Sequence, residues 1–456
     1  MKPIRGRILP ITSAVALIAS TAWAQEYFRE FGSSRTSSGI GRMSPGAEVF
    51  SGNDPNGLSP IDSMGPLGEE AREEDYNFRI GNVDFVLAAG IGVEFNDNIM
   101  LSDHDRLSDI ILRPSLDLEG VWRISENNRI RFGVGLSYAK YLDHDEFDSD
   151  SVLISPTSAI AWTLKSGAFT ITLHERFSYQ EDPFDLPLLS NVATFGRWEN
   201  QAGIQVDWDA NEFTRVTFGY DRYDLWTTDD FYESQDRGID TVYLRPSYRL
   251  SPNVTVGLNM SVSNVGFDQD IQADALVYLI GPYVLWKVND ILDVYAEIGY
   301  ERSDFDGGTK ATFVDPDTEE LTNDVVTDED DSSGVYVKLE LRHRPTENFR
   351  HKVMASKTTE VGFGTNFYDL YHIEYTADWK IGENTSVSPT LFYEVYETSG
   401  DLNESAHRFG AAVGLYHILS EHFTVGLDYR FLVKSSDVPD SDYYQNLAFL
   451  SLYYKF

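Results

Sequence analysis

From about residue 80 onward, apolar and polar positions alternate with a period of two. Val83, Phe85, Leu87, Ala89, Ile91, Val93 and Phe95 alternate with Asp84, Val86, Ala88, Gly90, Gly92 and Glu94. The same reading holds for Val254, Val256, Leu258, Met260 and Val262, and for Phe423, Val425, Leu427, Tyr429 and Phe431. Successive strand side chains point to opposite faces, so this period predicts amphipathic β-strands. The pattern places strands near 81–95, 108–124, 129–142, 152–165, 168–180, 196–209, 212–226, 238–251, 253–266, 273–289, 291–304, 334–346, 349–361, 367–381, 385–398, 405–419, 422–434 and 443–456. Alternation is weakest over 349–366, which leaves 16 as the fallback to a count of 18.

A soluble sandwich would show the same alternation, but three features favour a membrane barrel. Short polar turns recur about every 40 residues, as at Ser125–Asn128, Ser251–Asn253 and Gly382–Asn384, and longer acidic connections lie between them. Sorted short turns and long loops mark the two sides of an outer-membrane barrel. Trp122, Trp162, Trp208, Trp286 and Trp379 each precede a short turn on the apolar face, which places an interfacial aromatic girdle at one height. Tyr138, Tyr179, Tyr220 and Tyr300 end the returning strands at the other height. Leu450, Leu452, Tyr454 and Phe456 share one face of the last segment and resemble the C-terminal signature that the barrel-assembly machinery reads. The expected fold is all-β: a transmembrane antiparallel up-and-down β-barrel of about 18 strands, with short periplasmic turns and long acidic extracellular loops. Pro114, Pro156, Pro246, Pro282 and Pro389 fall inside strands on the outward face, where bulges or bends are expected.

The N-terminus reads as a signal peptide over 1–24. Lys2, Arg5 and Arg7 precede a short apolar core and an Ala22-Trp23-Ala24 cleavage site. Residues 25–75, rich in Gly, Ser, Pro and Glu, read as a disordered periplasmic segment ahead of a barrel domain at 76–456. Both chain ends then lie in the periplasm. No mature segment has the apolar length of a membrane helix. The absence of cysteine excludes a lipoprotein anchor, disulfides and thiol catalysis.

A formal net charge of -37 argues against nucleic-acid binding. It fits either solvated loops or attraction of cations. By strand parity Arg113, Asp117, Glu119, Arg123, Arg131, Asp207, Arg245, Arg249, Glu297, Lys338, Glu340, Arg342, Glu374, Asp428 and Arg430 point inward, as do Asp84 and Glu94. They read as the charged lining of a hydrated pore or as wall salt bridges. Inward Tyr243, Tyr283, Tyr295 and Tyr336 offer surfaces on which a sugar could stack. The connection 303–332 is the most acidic and matches no calcium-loop spacing. It reads as solvated or folded into the pore. No GxSxG, HExxH or P-loop is present. His104 and His144, beside Asp103, Asp105, Asp143 and Asp145, are the pair to test for hydrolysis, but no enzyme, cofactor or metal is expected.

Glu94-Phe95-Asn96-Asp97-Asn98-Ile99, where the first strand runs into an aromatic–x–Asp–Asn–aliphatic turn, resembles the β-barrel porin type 2 family, as do the near-repeats of about 40 residues. The long connection 303–332 and the single copy of the motif depart from that pattern. The resemblance implies an outlet for exopolysaccharide or capsule, working with a periplasmic export protein. The sequence alone supports a porin-like channel for hydrophilic solutes in outer-membrane lipid. A plugged, surface-binding barrel with adhesive acidic loops is the alternative.

Overall fold

A computed structural model describes residues 78–182, 188–314, 321–401 and 403–456. The signal peptide and the segment 25–75 lie outside the described residues. Eighteen antiparallel strands form one closed sheet. They are β1 (Val83–Asn96), β2 (Asp109–Ser125), β3 (Asn128–Ser137, extended by Lys140–Tyr141), β4 (Leu153–Ile154 and Ala159–Ser166), β5 (Phe169–Gln180), β6 (Arg197–Asp209), β7 (Thr214–Thr227), β8 (Arg237–Ser251) and β9 (Val254–Phe267). The second half holds β10 (Asp274–Asn289), β11 (Leu292–Asp306), β12 (Ser332–Thr346), β13 (Phe349–Val361), β14 (Phe367–Ile381), β15 (Thr385–Thr398), β16 (Ser405–Ile418), β17 (Phe423–Ser436) and β18 (Tyr443–Lys455). The weakly alternating region 349–361 is a full strand, so the count of 18 holds. The connection 303–332 is not a bare loop. Its described parts include a hairpin of Thr309–Val314 with Leu321–Asp328.

Apolar side chains face out. Ile91, Phe95, Ile160, Val242, Ile298, Val335 and Leu450 are all exposed. An apolar belt of this extent is not stable against water, and lipid is the medium that suits it. Trp122, Trp162, Trp208, Trp286 and Trp379 stand on this outer face near the short turns, each between 41 and 51% exposed. Trp198 and Trp226 are direct cross-strand partners on the outer face at the opposite end. Of the tyrosines expected at that end, Tyr220 and Tyr300 are exposed. Tyr179 is instead buried against Trp198, with ring centroids 4.9 Å apart, and its hydroxyl donates to Glu181. The loop side of the rim covers it.

The prolines correct one expectation. Register shifts by two residues around Pro156, between the pairs Leu136↔Ile154 and Gly133↔Ala159. At Pro114, Pro246, Pro282 and Pro389 the register runs on unshifted. These four omit a donor without adding a residue. The remaining irregularities in the barrel ladders sit at short turns, as between Arg249 and Ser251 and between Lys287 and Asn289.

Closure is made by β1 and β18, from Ala88↔Lys455 to Asn96↔Leu447. The Phe456 N–H donates to the Leu87 carbonyl at 3.1 Å. Below that point the edge of β1 is taken by Phe78–Ile80, which turns at Gly81 and pairs back onto Val83–Phe85. At the long-loop end the Asn96-Asp97-Asn98 turn staples the seam. Asn446 donates to Asp97 through its backbone N–H (2.6 Å) and through Nδ2 (2.7 Å). Asn98 is fully buried. Its Nδ2 donates to the carbonyls of Ser102 (2.8 Å) and Tyr444 (2.9 Å), and its own carbonyl accepts from Gln445 Nε2 (3.0 Å). The substitution Asn98→Ala leaves buried carbonyls without donors, at a cost on the order of 1–3 kcal/mol each. We expect it to lower the temperature at which the folded barrel loses its compact gel mobility. An unchanged transition would show that the staple is dispensable.

Candidate functional site

The interior is the largest polar surface that the fold creates, because strand parity sends one residue in two inward. The charges read from the sequence lie on that face and largely hold one another. Glu94 accepts from Arg113 Nε (2.9 Å) and Nη2 (3.2 Å). Asp84 bridges Arg79 and Arg123, and Arg342 pairs with Glu340. Asp207 accepts from Thr217 (2.5 Å) and Gln205 (2.9 Å). Glu297 accepts from Asn259 Nδ2 (2.8 Å), Tyr336 (2.5 Å) and Tyr295, and Lys338 is its direct partner on β12. The Arg245 guanidinium lies over the Tyr283 ring at 5.5 Å. Arg430 donates to Gln445 at 2.8 Å, and Tyr416 donates to Asp428. Asp117, Arg131 and Glu374 are buried, Glu119 is half-buried on β2, and Arg249 is exposed near a short turn.

Three of the four inward tyrosines do not offer the free faces expected for sugar stacking, and Tyr295 is half-buried. Tyr243, Tyr283 and Tyr336 are buried. Their rings fill the space where side chains would stand on Gly219, Gly257, Gly281 and Gly299. The glycines admit these rings against the wall, and burial there takes up their area.

A segment of the β5–β6 connection crosses the lumen. Leu188 packs against Tyr368, Leu370, Tyr396 and Ala406 on β14, β15 and β16, on the side of the ring opposite β5. From there the chain returns to β6. Lys434 Nζ donates to Ser190 Oγ (2.9 Å), and Ser190 donates to the Ser441 carbonyl (3.1 Å). Asn191 donates through its backbone to the Leu101 carbonyl (3.1 Å) and through Nδ2 to the Asp440 carbonyl (2.8 Å). Leu101, Asn191 and Asp440 each have a φ near +50 to +60°. Such backbone costs non-glycine residues on the order of 1–3 kcal/mol, which the contacts at this junction must exceed. Phe195 then meets Tyr232 (4.8 Å) from the β7–β8 loop and Phe363 (5.8 Å) from the β13–β14 loop, with Leu189 and Val192 in the same cluster.

The hairpin in 303–332 rests on the neighbouring loops. Asp328 accepts from the Asn366 N–H (2.7 Å) and from Ser399, and Thr309 donates to Asn366 Oδ1 (2.8 Å). The candidate histidines have separate settings. His144 Nδ1 lies 3.0 Å from Asp109 Oδ2, and that carboxylate also accepts from the backbone N–H groups of Leu142, Asp143 and His144. His104 is highly exposed, 3.4 Å from Asp103 and 3.9 Å from Asp440. In the β3–β4 loop a hydrogen bond from Lys140 holds the Asp148 carboxyl below its ordinary range.

The inward residues read from the sequence left out both members of several interior pairs, some within one strand and some between strands. Arg197 Nε lies 2.9 Å from Glu199, and Lys434 Nζ lies 3.0 Å from Glu404. His174 Nε2 lies 2.6 Å from Asp221, and His372 Nδ1 lies 2.8 Å from Glu394. The crossing segment was also missed, since 181–194 reads only as one more acidic connection. The aliphatic run Leu186 to Leu189 ahead of Phe195 was its one signal.

No family model matches the chain, and no characterised protein matches it in sequence. The resemblance to β-barrel porin type 2 therefore rests on its own motif. Among solved structures, Pseudomonas aeruginosa OccK2 (OpdF) in complex with glucuronate is similar at 12% identity and a TM-score of 0.46, over 82% of this chain and 98% of that one. A BenF-like porin from Pseudomonas fluorescens Pf-5 is similar at 9% identity and a TM-score of 0.45, over 83% and 100%. A loop-deletion form of OmpT, an outer membrane protein of Vibrio cholerae, is similar at 12% identity and a TM-score of 0.40, over 82% and 100%. Likenesses this distant carry no argument about the lumen.

Truncating Phe195 to alanine removes the ring shared by three loops, at a cost of about 3–5 kcal/mol for a buried aromatic. Limited proteolysis of the folded barrel is expected to cut the 181–196 connection faster in this variant. Equal cleavage rates would show that the aromatic cluster does not hold the segment.

Proposed function

We propose that the protein is an outer-membrane channel for small hydrophilic solutes, with residues 188–195 setting its width. The observation that carries this reading is the crossing segment itself, a structured chain laid across a polar interior. A barrel that serves only as an anchor needs neither the charged inner face nor a segment tied to its far wall. In this reading the short turns and both chain ends face the periplasm. The five tryptophans near those turns form the lower lipid girdle, and Leu450, Leu452, Tyr454 and Phe456 present the assembly signal. The inward charges named above act mainly as a paired wall, and the solute meets those that stay partly exposed, such as Lys338 and Glu340.

A polymer outlet with a periplasmic export partner is the finer reading that the sequence motif suggested. The crossing segment counts against it, because a threaded polysaccharide would have to displace Leu188 and Ser190 from the far wall. The aromatic cluster at the mouth favours a second reading, a barrel kept shut until its loops part. Planar-bilayer recordings compare the two. The intact protein is expected to give small, steady steps, and removal of 188–195 is expected to raise the unit conductance at least twofold. Silence from the intact protein with large steps from the deletion would favour the shut barrel. Silence from both would overturn the channel. The acidic loops should also make the channel cation-selective, read as the sign of the reversal potential in a salt gradient.

A further inference from the structure

We propose that Ser356, His372 and Glu394 form a hydrolytic site in the barrel wall, acting on short-chain carboxylic esters that enter the lumen. The three residues lie on adjacent strands β13, β14 and β15 and are direct register partners, Ser356↔His372↔Glu394, on the inward face. Direct partners place their Cβ atoms about 4.5–5.5 Å apart, within reach of an imidazole and a hydroxyl.

The histidine carries the argument. Its Nδ1 is 2.8 Å from Glu394 Oε1, and the two side chains are 2% and 0% exposed. That contact fixes the ring and leaves Nε2 as the nitrogen that takes or gives a proton. Nε2 is buried and has no hydrogen-bond partner among the described residues. The two ring nitrogens bond in divergent directions, so Nε2 is turned away from Glu394. On the rung beyond His372 from Glu394 stands Ser356, half-buried. An acid on Nδ1 and a serine on the next rung supply the three groups by which histidine activates serine, a set recognised by its roles rather than by chain order. A hydroxyl–imidazole contact that is open at rest and closes on substrate is common in such sites.

The flanking rungs suit the same chemistry. Lys338 is the direct partner of Ser356 on β12, placed to steady a developing oxyanion. Arg408 on β16 lies 3.4 Å from Glu394 Oε2, on the side of that carboxylate away from His372. Met354, on the inward face two residues from Ser356, and Phe392, stacked on the His372 ring at 6.2 Å, offer an apolar side to a short acyl group. The other buried pair, His174 with Asp221, lacks these features. Its acid sits on Nε2, and the residues beside His174 on the adjacent strands are Ala161 and Gly203.

The reaction needs only ester and water. Ser356 Oγ bonds to the ester carbonyl carbon while its proton passes to His372 Nε2. The tetrahedral adduct expels the alcohol, which leaves with that proton. Water then attacks the acyl-serine by the same route, releases the acid and restores the hydroxyl.

The test uses the full chain folded in detergent micelles, with folding checked by heat-modifiable gel mobility. A fluorophosphonate probe is expected to label Ser356, located by peptide mass spectrometry. 4-Nitrophenyl acetate should be hydrolysed with a loss of more than a hundredfold in both Ser356→Ala and His372→Gln. Glu394→Gln should shift the pH profile as well as lower the rate, which a merely structural role would not do. Absence of label on Ser356 in a folded barrel, or equal hydrolysis by Ser356→Ala, would overturn the proposal. Bilayer conductance of Ser356→Ala should match that of the unaltered protein, so hydrolysis and solute flux are judged separately.

Discussion

Backbone N–H and C=O groups find no partners in hydrocarbon, so a sheet that lies in lipid must have no open edge. Every other feature of this barrel follows from that demand. The two strands farthest apart in sequence have to meet, and the seam is held by side chains as well as by the ladder. Phe456 reaches Leu87, Phe78–Ile80 takes the stretch of β1 that β18 does not cover, and Asp97 and Asn98 bind the start of β18 at the other end. A turn motif that in the sequence looked like a family mark is, in the fold, the fastening of the cylinder.

Closure also fixes what lies inside. With one residue in two turned inward, the wall carries many charges and aromatic rings that lipid cannot take. They are settled by pairing, as Glu94 with Arg113, or by lying flat over glycines, as Tyr336 over Gly281 and Gly299. The inner face is thereby a packed polar surface. A pair taken out of water, such as Glu94 with Arg113, does not add much net stability over apolar packing. The value of such pairs here is that they keep the inner face hydrophilic and in fixed register.

Strand boundaries were legible because the period-two signal is repeated along each strand and each short turn interrupts it. Phe367–Ile381 and Thr385–Thr398 were read to the residue. The hairpin within 303–332 was not, since its acidic sequence carries no clear alternation. The interior was half legible. Parity tells which side chains face in, so Arg113 and Glu297 were found. It does not tell which of them touch, because contact depends on the register between neighbouring strands. His372 was passed over for that reason, while the more conspicuous His104 and His144 lie in loops. Bulges or bends were expected at the prolines, and at four of them the ladder carries no bulge, tolerating a missing donor without changing step.

The junction at Asn191 has a consequence for the order of assembly. Its two anchor carbonyls come from opposite sides of the seam, Leu101 from the connection after β1 and Asp440 from the connection before β18. In a sheet that has not yet joined its first and last strands, those carbonyls are far apart and Asn191 can hold only one of them. Leu188 and Phe195 can find their partners earlier, but the Asn191 junction is completed only when the seam closes. The last turn of the crossing segment is thereby fastened by the same act that completes the wall.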